Sequence, residues 1–213
     1  MSPPILVIGG GGHGRVVIEA LLAAGEAVAG VIDPHPGVAA LLPDGVPWLG
    51  GEEALSAYKP ETYQLANGVG GIGEPHRRDV FERLSAAGYG FVRVRHPAAS
   101  VARAGVVLGE GAQIMAGAVI QPGVRIGANA IVNTRAAIDH DCRVGEHCHI
   151  APGAVLCGDV TIGAGTHVGA GAVLIQGVAV GAFSIIGAGA IILRDVPDGV
   201  VVYSKDIRQE RRR

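Results

Sequence analysis

The chain has 213 residues and a formal net charge of -2; 49% of its residues are apolar, 35 are glycine and only 4% are aromatic. That balance excludes the broad basic surface on which nucleic-acid binding relies, and the short tail with Arg208, Arg211, Arg212 and Arg213 reads as a solvated end. Few aromatics and many glycines describe a core of small and β-branched side chains, which points to repetition, and the length permits one domain or two modest ones.

Met1 to Pro4 carry no positive side chain, and the apolar run Ile5 to Ile8 is too short for a signal or membrane segment. The run reads as a strand that stops at Gly9. Arg15 to Ala24 then reads as helix, with Val16, Val17, Ala20, Leu21 and Ala24 recurring at three and four. Ala27 to Ile32 supplies a second strand, ending at Asp33, and Val80 to Ala87 a later helix. Residues 1–95 therefore read as a small Rossmann-like nucleotide-binding domain with a parallel sheet. Between strand and helix stands Gly9-Gly10-Gly11-Gly12-His13-Gly14, which satisfies G-x-G-x-x-G, with Asp33 beyond it. Glycines let a backbone approach phosphate, and the helix N-terminus offers free N–H groups, so an anion is expected there. A mononucleotide handle suits so short a unit; a dinucleotide such as NAD, and a glycine turn with no ligand, stay open.

From Leu108 to Ile192 an aliphatic residue falls at every sixth position, and four residues after each comes a small side chain. Six residues form one flat side and one corner of a triangular coil, with about eighteen residues per turn. Residues 96–213 thus read as a left-handed parallel β-helix. The register predicts which side chains stack: His140 beneath Gly158, His149 and His167 on one edge, and Asn133 two places off the register of His149.

Most polar side chains of the repeat lie between Asn133 and His149. His140 stands between two carboxylates, Asp139 and Asp141. A carboxylate on one ring nitrogen fixes the tautomer and raises the basicity of the other, as a general base needs; a solvated corner is the competing reading. His140, His147, His149 and Cys148 are all possible zinc ligands, but the pair of histidines five residues apart that zinc-dependent β-helical carbonic anhydrases use does not occur. No metal is expected. Cys142 and Cys148 fall on inward positions, and three cysteines, with Cys157, suit reduced thiols and a cytoplasmic protein.

The Gly-Gly-His-Gly loop, Asp33-Pro34 at a strand end, His96-Pro97 before the first coils, and Asn133…Ile138-Asp139-His140-Asp141-Cys142…His149 together resemble the hexapeptide-repeat acetyltransferases acting on nucleotide-linked amino sugars. They are similar also to the sialic acid O-acetyltransferases. The resemblance implies a homotrimer with acetyl-CoA in the groove between neighbouring subunits. It implies His140 as general base and Asp141 as its orienting carboxylate, with Asn133 in the site and His149 near the acetyl group. Gly158, Ala170, Gly187 and Ala188 would line the CoA groove; Gly12, His13, Gly14, Asp33 and Pro34 would hold the nucleotide sugar. Two departures stand out. The run Asn67-Gly68-Val69-Gly70-Gly71-Ile72-Gly73-Glu74 is longer than the family's usual turn, and Val202-Tyr203-Ser204-Lys205 lacks its usual ending.

The expected activity is direct acetyl transfer to the amine of a 4-amino-4,6-dideoxy sugar on GDP or UDP, GDP-perosamine among them, with a backbone N–H such as that of Gly158 at the oxyanion. The acceptor is a small molecule in glycan synthesis; neither nucleic acid nor membrane is an expected partner. Sugar O-acetylation is the same-class alternative. An NAD-dependent enzyme and a non-catalytic β-helix scaffold are the others.

Overall fold

The computed structural model describes residues 3–71 and 75–203. Ile72, Gly73, Glu74, Ser204, Lys205 and the arginines of the tail lie outside the described residues.

Strands β1 (Ile5–Ile8), β2 (Val28–Ile32), β3 (Trp48–Gly50) and β4 (Gln64–Asn67) form one parallel sheet in the order β3-β2-β1-β4. Alternation along β1 sends Ile5 and Val7 to one face, against Val17, Ile18 and Leu21 of helix α1 (Gly12–Ala23). Leu6 and Ile8 go to the other face, where Val80, Phe81 and Leu84 of helix α2 (Pro75–Ala86) cover them. Burial on both faces is why β1 is continuously apolar. Because β2 and β4 flank β1, the carboxyl ends of β1 and β4 border a crevice at the point where strand order reverses, which is where sheets of this kind bind ligands.

Both helices begin earlier than their periodicity predicts. The last loop residues, Gly12 to Gly14, already form the first turn of α1, and Pro75, whose fixed φ suits a first turn, opens α2. β3 and β4 were not predicted from the sequence; they are short and their pattern is broken by Trp48 and Gln64.

From Val94 onward the chain winds a parallel β-helix of three sides. Side one holds Gln113–Ile114, Ile131–Val132, His149–Ile150 and His167–Val168; side two Val119–Ile120, Ala137–Ile138, Val155–Leu156 and Val173–Leu174; side three Arg125–Ile126, Arg143–Val144 and Thr161–Ile162. Partners are eighteen residues apart, as in Arg125 with Arg143 and His149 with His167. The predicted inward residues, Ile114 to Ile192 and the small side chains between them, fill one continuous core. The coil starts two strands before the repeat is visible, because Val94 pairs with Gln113 and Ser100 with Val119, nineteen residues apart, so the first turn is out of step with the later ones.

Two backbone requirements hold the coils together. Every sixth residue from Gly105 to Gly189 turns a corner with positive φ, and where glycine is absent the position is held by Asn129, Arg135, Asp141, His147, Asp159 or Phe183. The glycines that directly follow the aliphatic residues on side three meet a different demand: a Cβ on Gly163 would lie 2.4 Å from the Ala182 nitrogen of the next coil. Backbone cannot yield there. Gly163→Ala should therefore cost about 3 kcal/mol, read as a lower urea midpoint with an unchanged m-value; an unchanged midpoint would refute this packing.

Candidate active site

The polar groups of interest form two clusters on different parts of the coil. The first sits at the corner between sides two and three. His140 Nδ1 lies 3.0 Å from Asp141 Oδ2, and Asp139 Oδ1 accepts the His140 N–H at 2.8 Å. Asp141 occupies a positive-φ corner, which swings its carboxylate back toward the ring. The dyad fits because glycine lies on both sides of it: a Cβ on Gly158 would be 2.6 Å from His140 Nε2, and one on Gly123 2.4 Å from Asp141 Oδ1. The stacking of His140 under Gly158 is as the register predicts; Gly123, eighteen residues before Asp141, was legible by the same subtraction and was missed. The Gly158 N–H has no acceptor among the described residues. The bond to Asp141, opposed by desolvation and helped by the charges of Asp139, Asp141 and Asp159, raises the His140 pKa above its ordinary value.

The second cluster lies on side one, where the N-terminal domain packs. Asn133 and His149 meet, Nδ2 to Nε2, at 3.0 Å. Asn133 Oδ1 accepts the Thr134 N–H at 2.7 Å, so its Nδ2 must be the donor and His149 must carry its proton on Nδ1. Burial, with His167, His13 and Arg77 nearby, pushes the His149 pKa down to about 3, so this ring is neutral and is no base near pH 7. His13 stands 6.4 Å from it between ring centres, and His167 4.9 Å on the next coil.

Around the glycine loop, Asp33 is 7% exposed; its Oδ2 accepts the Gly10 N–H at 2.7 Å and its Oδ1 the His35 N–H at 2.8 Å. The carboxylate thus shapes the loop instead of facing a ribose, which weakens the NAD reading. Gly14 closes against the Gly9 carbonyl, whereas Gly11 and Gly12 face open space. The Gly12, His13 and Gly14 N–H groups have no acceptor among the described residues and are available to an anion. A crevice of about 590 Å³ opens beside Gly12, lined among others by Arg15, Val16, Pro43, His96 and Met115. Pro34 is exposed next to the loop.

A polar chain ties the two domains together, and sequence reasoning missed all of it. Gln113 Nε2 donates to the Asn67 carbonyl, Asn67 Nδ2 donates to Asn129 Oδ1, Asn129 Nδ2 reaches His147 Nδ1, and Arg77 donates to the Asn129 carbonyl. Arg77 is 6% exposed, and burial lowers its pKa to about 9. Only its position at the start of α2, three residues past a long glycine run, hints at such a role.

Ala170 and Ala188 are exposed small side chains, one coil apart, at the corner between sides one and two, with Gly187 beside them. They form a shallow edge that would accept an extended ligand arm. Cys142 and Cys148 are fully buried and point inward; burial raises their pKa values to about 11 and about 12, which removes both as nucleophiles. Among the described residues no group of three or more His, Cys, Asp or Glu is placed to hold a metal ion, and no helix is long and apolar enough to cross a membrane.

If Asp141 sustains the raised basicity, Asp141→Asn should lower the His140 pKa in an NMR pH titration, and a general base would then lose its acid limb at lower pH. An unmoved titration would mean that the 3.0 Å contact has no electrostatic effect.

Comparison with known proteins bears on this geometry. Residues 105–140 and 141–176 match the bacterial transferase hexapeptide family (six repeats), and residues 4–84 match the PglD N-terminal domain. The acetyltransferase domain of PglB from Neisseria gonorrhoeae FA1090, solved with acetyl coenzyme A, is 35% identical with a TM-score of 0.87, over 96% of this chain and 97% of that one. PerB from Caulobacter crescentus, solved with CoA and GDP-perosamine, is 39% identical with a TM-score of 0.86, over 96% and 95%. WeeI from Acinetobacter baumannii AYE shares the fold at 22% identity and a TM-score of 0.83, over 95% and 97%. No curated protein sequence matches. With both families matched in the expected order, and with solved acetyltransferases 35% and 39% identical over almost the full length, the chain belongs to the hexapeptide-repeat nucleotide-sugar N-acetyltransferases.

Proposed function

We propose that the protein transfers the acetyl group of acetyl-CoA to the amine of a 4-amino-4,6-dideoxy sugar carried on a nucleoside diphosphate, GDP-perosamine being the leading candidate. The observation that carries this reading is the His140–Asp141 dyad beneath Gly158 on a hexapeptide coil, joined to a domain whose glycine loop is open to an anion. The relatives solved with CoA and GDP-perosamine support the same substrate pair.

Bound acetyl-CoA supplies the thioester. His140 Nε2, left free by the Nδ1 bond to Asp141, accepts a proton from the amine as its nitrogen bonds to the acyl carbon. The Gly158 N–H donates to the oxyanion that develops on the acyl oxygen, and collapse of that intermediate breaks the C–S bond and releases CoA as the thiolate. The Gly12 to Gly14 turn and the crevice beside it hold the diphosphate and nucleoside, with Asp33 and Pro34 shaping the rim. Asn133 and His149 border the acceptor, and Ala170, Gly187 and Ala188 seat the CoA arm. With both inward cysteines buried, the acetyl group passes directly to the amine.

We infer a homotrimer, and the placing of the clusters supports it. His140 is at the corner opposite side one, so His13 and His149 of the same chain do not meet it. Side two, between the two corners, turns Val119, Ala137, Val155, Val173 and Ile191 outward, the last 66% exposed, while side three mixes Arg125, Arg143 and Thr161 with the apolar Val107 and Ala179. An apolar stripe of this kind favours burial against a second copy. Threefold packing through side two would bring one chain's His140 to its neighbour's Ala170 edge.

His140→Asn should lower turnover by roughly two to four decades while CoA still binds. Gly158→Ala should cut turnover by about a hundredfold and leave stability nearly unchanged, because the added Cβ meets an exposed, movable ring. The test is thiol release from acetyl-CoA across GDP-, UDP- and dTDP-linked amino sugars; no release with any of them would reject the proposal.

A further inference from the structure

Gln113 is fully buried at the seam between the domains, and its hydrogen bonds settle a proton position that ring geometry alone leaves open. Its Nε2 lies 2.6 Å from the Asn67 carbonyl oxygen, which can only accept, so that end of the amide is the NH2 group. The other end, Oε1, therefore faces His13 Nε2 at 2.8 Å, and only an N–H can meet it there. His13 thus carries a proton on Nε2, and in the neutral ring Nδ1 bears the lone pair. Nδ1 has no hydrogen-bond partner among the described residues, and the ring stands in the first turn of α1, 6.4 Å from His149.

The surroundings keep the ring still and uncharged. A Cβ on Gly70 would lie 2.9 Å from His13 Cβ, so the long glycine run packs directly on this side chain. Burial lowers the His13 pKa, the Gln113 bond opposes that, and Arg77 from α2 adds to it; from the coil the facing group is His149, itself neutral. The two imidazoles then differ in polarity: His149 has its proton on Nδ1, while His13 presents a bare Nδ1.

We propose that Gln113 is a positioning residue of the acceptor site, holding His13 so that its Nδ1 lone pair accepts a hydrogen bond from the amino group of the sugar. This rests on the amino-sugar reading above. An amino group donates whether charged or neutral, and a neutral imidazole meets it without repulsion; an imidazolium would offer only N–H groups and a like charge.

Nitrogen NMR of the histidine-labelled trimer, with His13 assigned through His13→Gln, should find Nε2 protonated and Nδ1 bare between about pH 6 and 8. Gln113→Glu places a carboxyl group between His13 Nε2–H and the Asn67 carbonyl oxygen; ionised, as the same spectrum reads, it should convert His13 to imidazolium. The KM for the amino sugar should then rise at least about tenfold at neutral pH and recover as pH rises through the new pKa, with kcat and CoA binding near normal. A purely structural role would instead lower stability and CoA binding together and leave the pH profile in place. A proton on His13 Nδ1 in the unaltered protein overturns the proposal, as does a folded Gln113→Glu protein whose spectrum shows His13 as imidazolium while the KM profile is unchanged. The spectrum reads the tautomer whatever the acceptor is, so a bare Nδ1 combined with transfer to hydroxyl acceptors alone overturns the amino-group contact and the amino-sugar reading, but not the role of Gln113 in fixing the ring.

Discussion

The corner that recurs every six residues governs the rest of the molecule. Each corner needs a residue tolerant of positive φ, and each coil must then stack eighteen residues above the last, close enough that glycine alone fits where side three ends. Once that spacing holds, the position of every outward side chain follows from its number. The catalytic proposal is a consequence of this arithmetic: an aspartate at a corner position turns its carboxylate toward the preceding histidine, and glycines one coil above and one below leave room for both. A corner can be occupied by a functional residue only because Asp, Asn and His bear the left-handed conformation better than most side chains.

The N-terminal domain adds a second constraint of a different kind. It is docked by buried amides and one guanidinium: Gln113, Asn67, Asn129 and Arg77 are linked in a fixed donor and acceptor order, with Arg77 Nε left without a partner among the described residues. Each of these buried bonds needs its partner in place, so the network favours one docking geometry. His13 and His149 are thereby held 6.4 Å apart with their protons on chosen atoms. The glycine loop and the coil act as one rigid wall of the cleft.

Much of this was legible in the sequence, and the limits have physical causes. The aliphatic period exposed the coils, the register placed His140 under Gly158, and the glycine loop with Asp33 marked the first βα turn. The first coil was hidden because it runs one residue long, and β3 and β4 because three- and four-residue strands give too little alternation to read. The docking network was invisible because its members are unremarkable amides that meet only in three dimensions. Asp33 is read from the sequence as a nucleotide-sugar contact; the fold adds a role the sequence does not show, its two carboxylate oxygens accepting the Gly10 and His35 amides and so shaping the loop.

The central claim is that one active site is assembled from two chains, with His140 from one and Asn133 and His149 from its neighbour. Subunit exchange tests it most directly. Trimers reassembled from equal amounts of His140→Asn and His149→Ala chains, each nearly inactive alone, should regain acetyl transfer to roughly a quarter of the unaltered rate, because random mixing leaves about that share of interfaces with both residues intact. Mixed trimers that form and stay inactive would contradict the shared site.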